Sequence, residues 1–189
     1  LLSIKKLMEI PKQLIEVLRG LDQSLVTAKL SRSMASILGL STDECNLLYK
    51  TAIAHDCGYL ILEKDRLQSI IAKKEITEEE FNYIKQHTVK GLEYFQGIEL
   101  PLPFREGILY HHERNDGSGY PEGLTKEQIP IFAKIIGTAE TFSTLLSKRP
   151  YRIKRELSQA LAIVEDAART KFDPEIVQAL SQVASTVGR

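Results

Sequence analysis

The sequence predicts an all-α fold, a compact helical bundle, and three observations carry that reading. Helix-start signals recur along the chain, apolar residues return at helical spacing, and period-two alternation of useful length is absent. Internal repeats and low-complexity tracts are absent too. With 189 residues, 43% of them apolar and 26% charged, the chain has the size and composition of one globular domain with a short appendage.

The elements follow in order. Residues 1–20 read as an N-terminal helical segment interrupted at Pro11, with Ile4, Leu7, Met8, Leu14, Ile15 and Leu18 at helical spacing. That stripe packs on its own domain or pairs with another copy, which would make a homodimer. The main domain covers 21–189 and opens with a helix from about Asp22 to Leu38. Ser41-Thr42-Asp43-Glu44 is a capping box ahead of a helix that runs toward His55. Thr77-Glu78-Glu79-Glu80 is a second box, and Phe81, Ile84, His87 and Gly91 then fall on one helical stripe, which predicts that His87 faces inward. Pro130 opens a helix past Glu140 to about Leu146, and Asp173-Pro174 opens the last one, through Val183. Loops are expected at Pro101-Leu102-Pro103, from Asn115 to Gly123, and at Arg149-Pro150-Tyr151.

Charge and cysteines narrow the function classes. Lys+Arg and Asp+Glu both number 25, so the basic footprint of a duplex-DNA binder is missing, although one pocket can still take a small anion. Cys45 and Cys57 form no Cys-x-x-Cys pair and no disulfide framework, which points to a reducing, cytoplasmic setting. No apolar run has the length of a membrane span. The chain starts at Leu1 without Met and reads as a piece of a longer protein.

All four histidines sit in motif contexts. His55 precedes Asp56 at the end of an apolar helix, and His111-His112-Glu113 ends another, just before the Gly-rich loop Asp116-Gly117-Ser118-Gly119-Tyr120-Pro121. Neutral imidazole is a common ligand for divalent transition metals, and a carboxylate that bridges two ions is a usual seed of a hydrolytic site. A helix-end hydrogen bond accounts for His55-Asp56 taken alone, and a satisfied core histidine accounts for His87 alone. The adjacent pair His111-His112 is harder to explain that way, because burying imidazoles without partners is costly and a metal offsets the cost. The loop reads as a tight surface turn or as backbone close to a ligand, with Tyr120 as a stacking wall. Glu140 is a surface group or a further ligand; its spacing does not decide.

Together these segments resemble the HD-GYP branch of the HD superfamily. The resemblance rests on His55-Asp56-Cys57-Gly58, on His87 in Ile84-Lys85-Gln86-His87, and on the eleven-residue run His111 to Pro121. Leu38-Gly39-Leu40-Ser41, Arg149-Pro150-Tyr151-Arg152 and Lys171-Phe172-Asp173-Pro174 agree as well. It implies a phosphodiesterase that hydrolyses the bacterial second messenger cyclic di-GMP with a metal-activated water, using iron or manganese at two sites. Asp56 would bridge the ions; His87, His111 and His112 would complete one site, and His55 and Glu140 would serve the other. Asp56, His55, His111 and His112 would carry catalysis, and Gly119, Tyr120, Pro121, Arg149 and Arg152 would contact substrate. It also implies an upstream sensor or receiver domain, and a GGDEF-domain protein as a possible partner.

The chain departs from that pattern at four positions. Gln23 and Val26 stand where the family has an early ligand histidine and an arginine, Tyr59 replaces a lysine, and Glu140 replaces an aspartate. A neutral amide is a poor transition-metal ligand, so one ion is expected to be held firmly and the second weakly. The alternative is a degenerate domain that binds cyclic di-GMP or a signalling partner without cleaving it.

Overall fold

The computed structural model describes residues 21–147 and 156–187. The expected segment 1–20 and the loop with Arg149 and Arg152 lie outside the described residues. Those described are helical, with one isolated bridge between Asp116 and Thr125. In chain order the helices are α1 (Leu21–Ile37), α2 (Thr42–Ala54), α3 (Lys64–Ile71), α4 (Glu78–Lys85), α5 (His87–Tyr94), α6 (Leu102–Tyr110), α7 (Ile131–Leu146), α8 (Leu157–Ala167) and α9 (Pro174–Val187), with a short 3-10 turn at Cys57–Leu60.

Both capping boxes form. Ser41 and Glu44 exchange side-chain and backbone bonds at the start of α2, and Thr77 and Glu80 do so at α4, satisfying amides the first helical turn leaves unpaired. Asp173 Oδ1 accepts from the Glu175 amide at 3.3 Å and starts α9, which runs a turn beyond Val183. Pro101-Leu102-Pro103 is not a loop but the entry to α6. Proline is tolerated there because the first-turn amides have no partner within the helix.

The stripe expected from Phe81 to Gly91 does not exist as one helix. The chain turns at Gln86, which ends α4 and begins α5. Phe81 therefore stays 41% exposed while His87 is fully buried, because the two no longer share a helical face.

The main core lies among α1, α2, α7, α8 and α9, with Met34, Leu48, Ile135, Ile136, Phe142, Val164 and Leu180 buried. A smaller cluster of Ala54, Cys57, Phe95, Phe104 and Ile108 joins the end of α2 to α5 and α6. Gly58 makes that junction possible: a Cβ there would strike the His87 carbonyl and the Gly91 amide of α5. Both cysteines are buried and free. Among the described residues no helix is long and apolar enough to cross a membrane.

Candidate metal centre

Helix ends deliver the histidines. His55 caps the C-terminus of α2, His111 caps that of α6, and His87 opens α5. Each turns its Nδ1 back to a carbonyl three residues earlier: His55 to Ala52 at 2.7 Å, His87 to Ile84 at 2.8 Å and His111 to Ile108 at 2.7 Å. A carbonyl only accepts, so each Nδ1 carries the proton and each Nε2 offers a lone pair. The C-terminal ends of helices leave such carbonyls free of helical partners, so one local device sets the tautomer three times.

Asp56 follows His55 just outside α2, at φ −95° and ψ 7°. Leaving helical geometry brings the two side chains together, with Asp56 Oδ2 3.3 Å from His55 Nε2. Asp56 Oδ1 lies 3.5 Å from His87 Nε2 and 3.9 Å from His111 Nε2, and those two nitrogens are 3.3 Å apart. With both Nδ1 atoms protonated, two lone pairs face each other across that gap and no proton joins them. Burial pushes His111 and His112 well below the usual histidine range and lowers His87 too, so a charged imidazolium does not relieve the contact. Burial also depresses His55, but the carboxylates of Asp56 and Glu140 outweigh it and leave His55 above its ordinary value.

Two overlapping groups result. The side chains of Asp56, His87, His111 and His112 each offer a donor atom within 4.8 Å of the others, and so do those of His55, His111 and Glu140. His111 belongs to both. Donor atoms 3.3–3.9 Å apart are close enough for one ion to reach several of them. His55 Nε2 and Asp56 Oδ1 are buried without a hydrogen bond, as expected of atoms that face a cation. The residues fit a divalent metal centre. Glu140 comes from the middle of α7, with Oε2 4.0 Å from His112 Nε2, so it faces the site and not solvent.

Aromatic rings wall the centre. Tyr59 stacks on His87, centroids 4.3 Å apart and planes 16° apart, which is what occupies the position where a lysine was expected. Tyr120 stacks on His112 at 4.6 Å and 22°. Gly119 lies against the backbone of His112, Glu113 and Arg114, too close for any Cβ, while Pro121 is exposed.

Two roles had no clear sequence signal. Glu113 stands beside the ligand histidines but turns away: its buried carboxylate accepts from the amides of Glu122 (2.8 Å), Gly123 (3.1 Å) and Leu124 (2.9 Å). It clamps the far end of the Tyr120 loop. An acidic residue directly before a Gly-rich loop was the hint available. Arg114 Nη1 donates to the carbonyls of His111 (3.0 Å) and Glu113 (2.7 Å), holding the same stretch from behind. Gln23 Nε2 donates to Thr144 Oγ1, one turn beyond Glu140 on α7.

A family model described as HD domain matches residues 6–176. The chain belongs to the HD-domain family. Within it the HD-GYP resemblance holds. The chain is 38% identical over 151 residues to the cyclic di-GMP phosphodiesterase response regulator RpfG of Xanthomonas campestris, covering 78% of this chain and 39% of that one. It is 32% identical over 160 residues to a cyclic di-GMP phosphodiesterase of Thermotoga maritima, covering 84% of this chain and 43% of that one. It thus spans about two fifths of the length of these relatives. An HDG"Y"P protein from Bdellovibrio bacteriovorus shares the fold, with a TM-score of 0.68 at 20% identity over 86% of this chain and 51% of the other.

Proposed function

We propose that this domain is a metal-dependent phosphodiesterase acting on cyclic di-GMP. The observation that carries the reading is the facing pair of bare nitrogens, His87 Nε2 and His111 Nε2, 3.3 Å apart beside the unbonded Asp56 Oδ1. Three acceptors at such range repel unless a cation lies among them. Asp56, His87, His111 and His112 would hold one ion, and His55 and Glu140, with His111 or Asp56 shared, would hold another. When bound, the ions supply positive charge for a phosphodiester and a water acidic enough to lose its proton near neutral pH. The protein's part is positioning: the backbone tethers fix three imidazoles, the Tyr59 and Tyr120 rings fix two from their faces, and Glu113 fixes the loop beside them. Iron and manganese both suit imidazole–carboxylate ligation. The relatives just described support cyclic di-GMP as the substrate, and a cytoplasmic setting with regulation by an upstream sensor or receiver domain is part of the same reading.

A second reading has its own observation. Gln23, standing where the family has a histidine, turns its amide nitrogen to the Thr144 hydroxyl, and an amide offers a cation a weaker ligand than an imidazole, which leaves His55, His111 and Glu140 as the strong donors of the second group. That favours a domain that binds cyclic di-GMP, or a GGDEF-domain protein, without cleaving it. The test is metal content together with cyclic di-GMP turnover after anaerobic loading with iron or manganese. Turnover that disappears in Asp56→Ala supports the enzyme. Nucleotide bound but never cleaved supports the second reading.

A further inference from the structure

The aromatic contacts do not stop at the metal ligands. Tyr120, stacked on His112, meets the ring of Phe81 edge-on at 6.1 Å. Lys85, one turn further along α4, sets its Nζ 4.5 Å over the Phe81 ring and 5.8 Å from the Tyr120 ring. A continuous wall thus leads from His112 outward, through Tyr120, to an aromatic ring and a cation at the surface. Phe81 is 41% exposed, so a face of its ring is open to a ligand. In the acidic first turn of α4, Glu79 pairs with Arg66 at 3.1 Å and Glu80 pairs with Lys73, while Lys85 Nζ donates to Asn82 Oδ1 at 3.0 Å, a neutral partner that leaves the lysine's charge in place. Arg114, a half-buried cation of the same loop, is committed to the His111 and Glu113 carbonyls.

We infer that Phe81 and Lys85 form a substrate-recognition rim in which Phe81 stacks a nucleobase and Lys85 meets a phosphate of the same cyclic dinucleotide. The inference rests on the substrate class proposed above. The turn at Gln86 is what makes the rim, since it leaves Phe81 at the surface while His87 enters the site. Aromatic rings bind bases by their faces with little sequence preference, and a flexible lysine suits a phosphate whose position shifts during reaction. A cyclic dinucleotide offers both groups on one ligand.

Phe81→Ala and Lys85→Ala test this, each beside wild type, with cyclic di-GMP and with methyl p-nitrophenyl phosphate, a diester without a nucleobase. The expected result is a KM for cyclic di-GMP raised about ten-fold by Phe81→Ala, with kcat and metal content little changed. The preference for cyclic di-GMP over the small diester then falls by a similar factor. An unchanged KM in both variants overturns the rim. So does a parallel loss on both substrates with loss of metal, which would make Phe81 merely structural. If wild type cleaves neither substrate, the phosphodiesterase reading fails by itself. The rim is then decided by the Kd of a fluorescent cyclic di-GMP analogue: weakening in Phe81→Ala sustains it, and equal binding, or none by wild type, ends it.

Discussion

The two ligand groups that meet at His111 differ in how they are closed. The first draws Asp56, His87, His111 and His112 from three separate helix ends, and Tyr59 and Tyr120 cover its imidazoles with stacked rings. The second has His55, the shared His111 and Glu140, while Gln23 on the adjoining face of α1 is bonded to Thr144. Each group has two backbone-tethered imidazoles, but stacked rings brace only the first. The other depends on a longer carboxylate from the middle of a helix. Affinity follows how many donors are fixed before the ion arrives, so the first group is expected to keep its ion when the second loses its own.

The largest expected effect comes from removing what the two share. His111→Ala takes a donor from both groups and should lower turnover by more than about a hundred-fold, since losing even an outer partner of a ligand costs about 10–100-fold in affinity or activity. Metal analysis of the same sample should show both ions depleted. Wild-type turnover in His111→Ala would break the comparison at its root.

Splitting the groups comes next. His55→Ala should leave about one tightly held ion per chain, and His87→Ala should lose that ion first on titration with a chelator. The reverse order would mean that the second group is the stronger. Because a bound ion stabilises the folded state by mass action, the melting temperature should fall further on chelation in His55→Ala than in His87→Ala.

Glu113→Gln probes the support of the first group alone. An amide presents hydrogens toward three backbone amides that now share a carboxylate, a loss of roughly 2 kcal/mol for a buried charged acceptor. Urea unfolding should report that loss, and Tyr120 with its loop should become easier to cleave by protease. The smallest effect sharpens the second group. Gln23→His offers an imidazole near Thr144 and Glu140, and should tighten the weaker ion by about ten-fold, read by competition with a chelator. No change would show that Gln23 stands too far from the second ion to matter.

Much of the helical frame was legible in the residues, and the reason is local. The boxes at Ser41 and Thr77 and the Pro130 and Asp173-Pro174 starts act within one or two turns. The family motif named the six residues the fold brings together: His55, Asp56, His87, His111, His112 and Glu140. Its proposed substrate arginines, Arg149 and Arg152, fall outside the described residues.

What the sequence determined by itself was therefore the helical class and most helix starts, because capping and periodicity are short-range properties, while the candidate donors came from the resemblance of its motifs to a family. Tertiary structure alone decided the break at Gln86, the turning of Glu113 onto the loop amides, and the stacking of Tyr59 on His87. Each of these depends on how the chain folds back on itself, across the Tyr120 loop, between Tyr59 and His87, or at the close approach of Gly58 to α5, and helical spacing encodes none of them. The candidate metal centre lies at that boundary: the motifs name its candidate donors, and their 3.3 Å convergence can be read only from the fold.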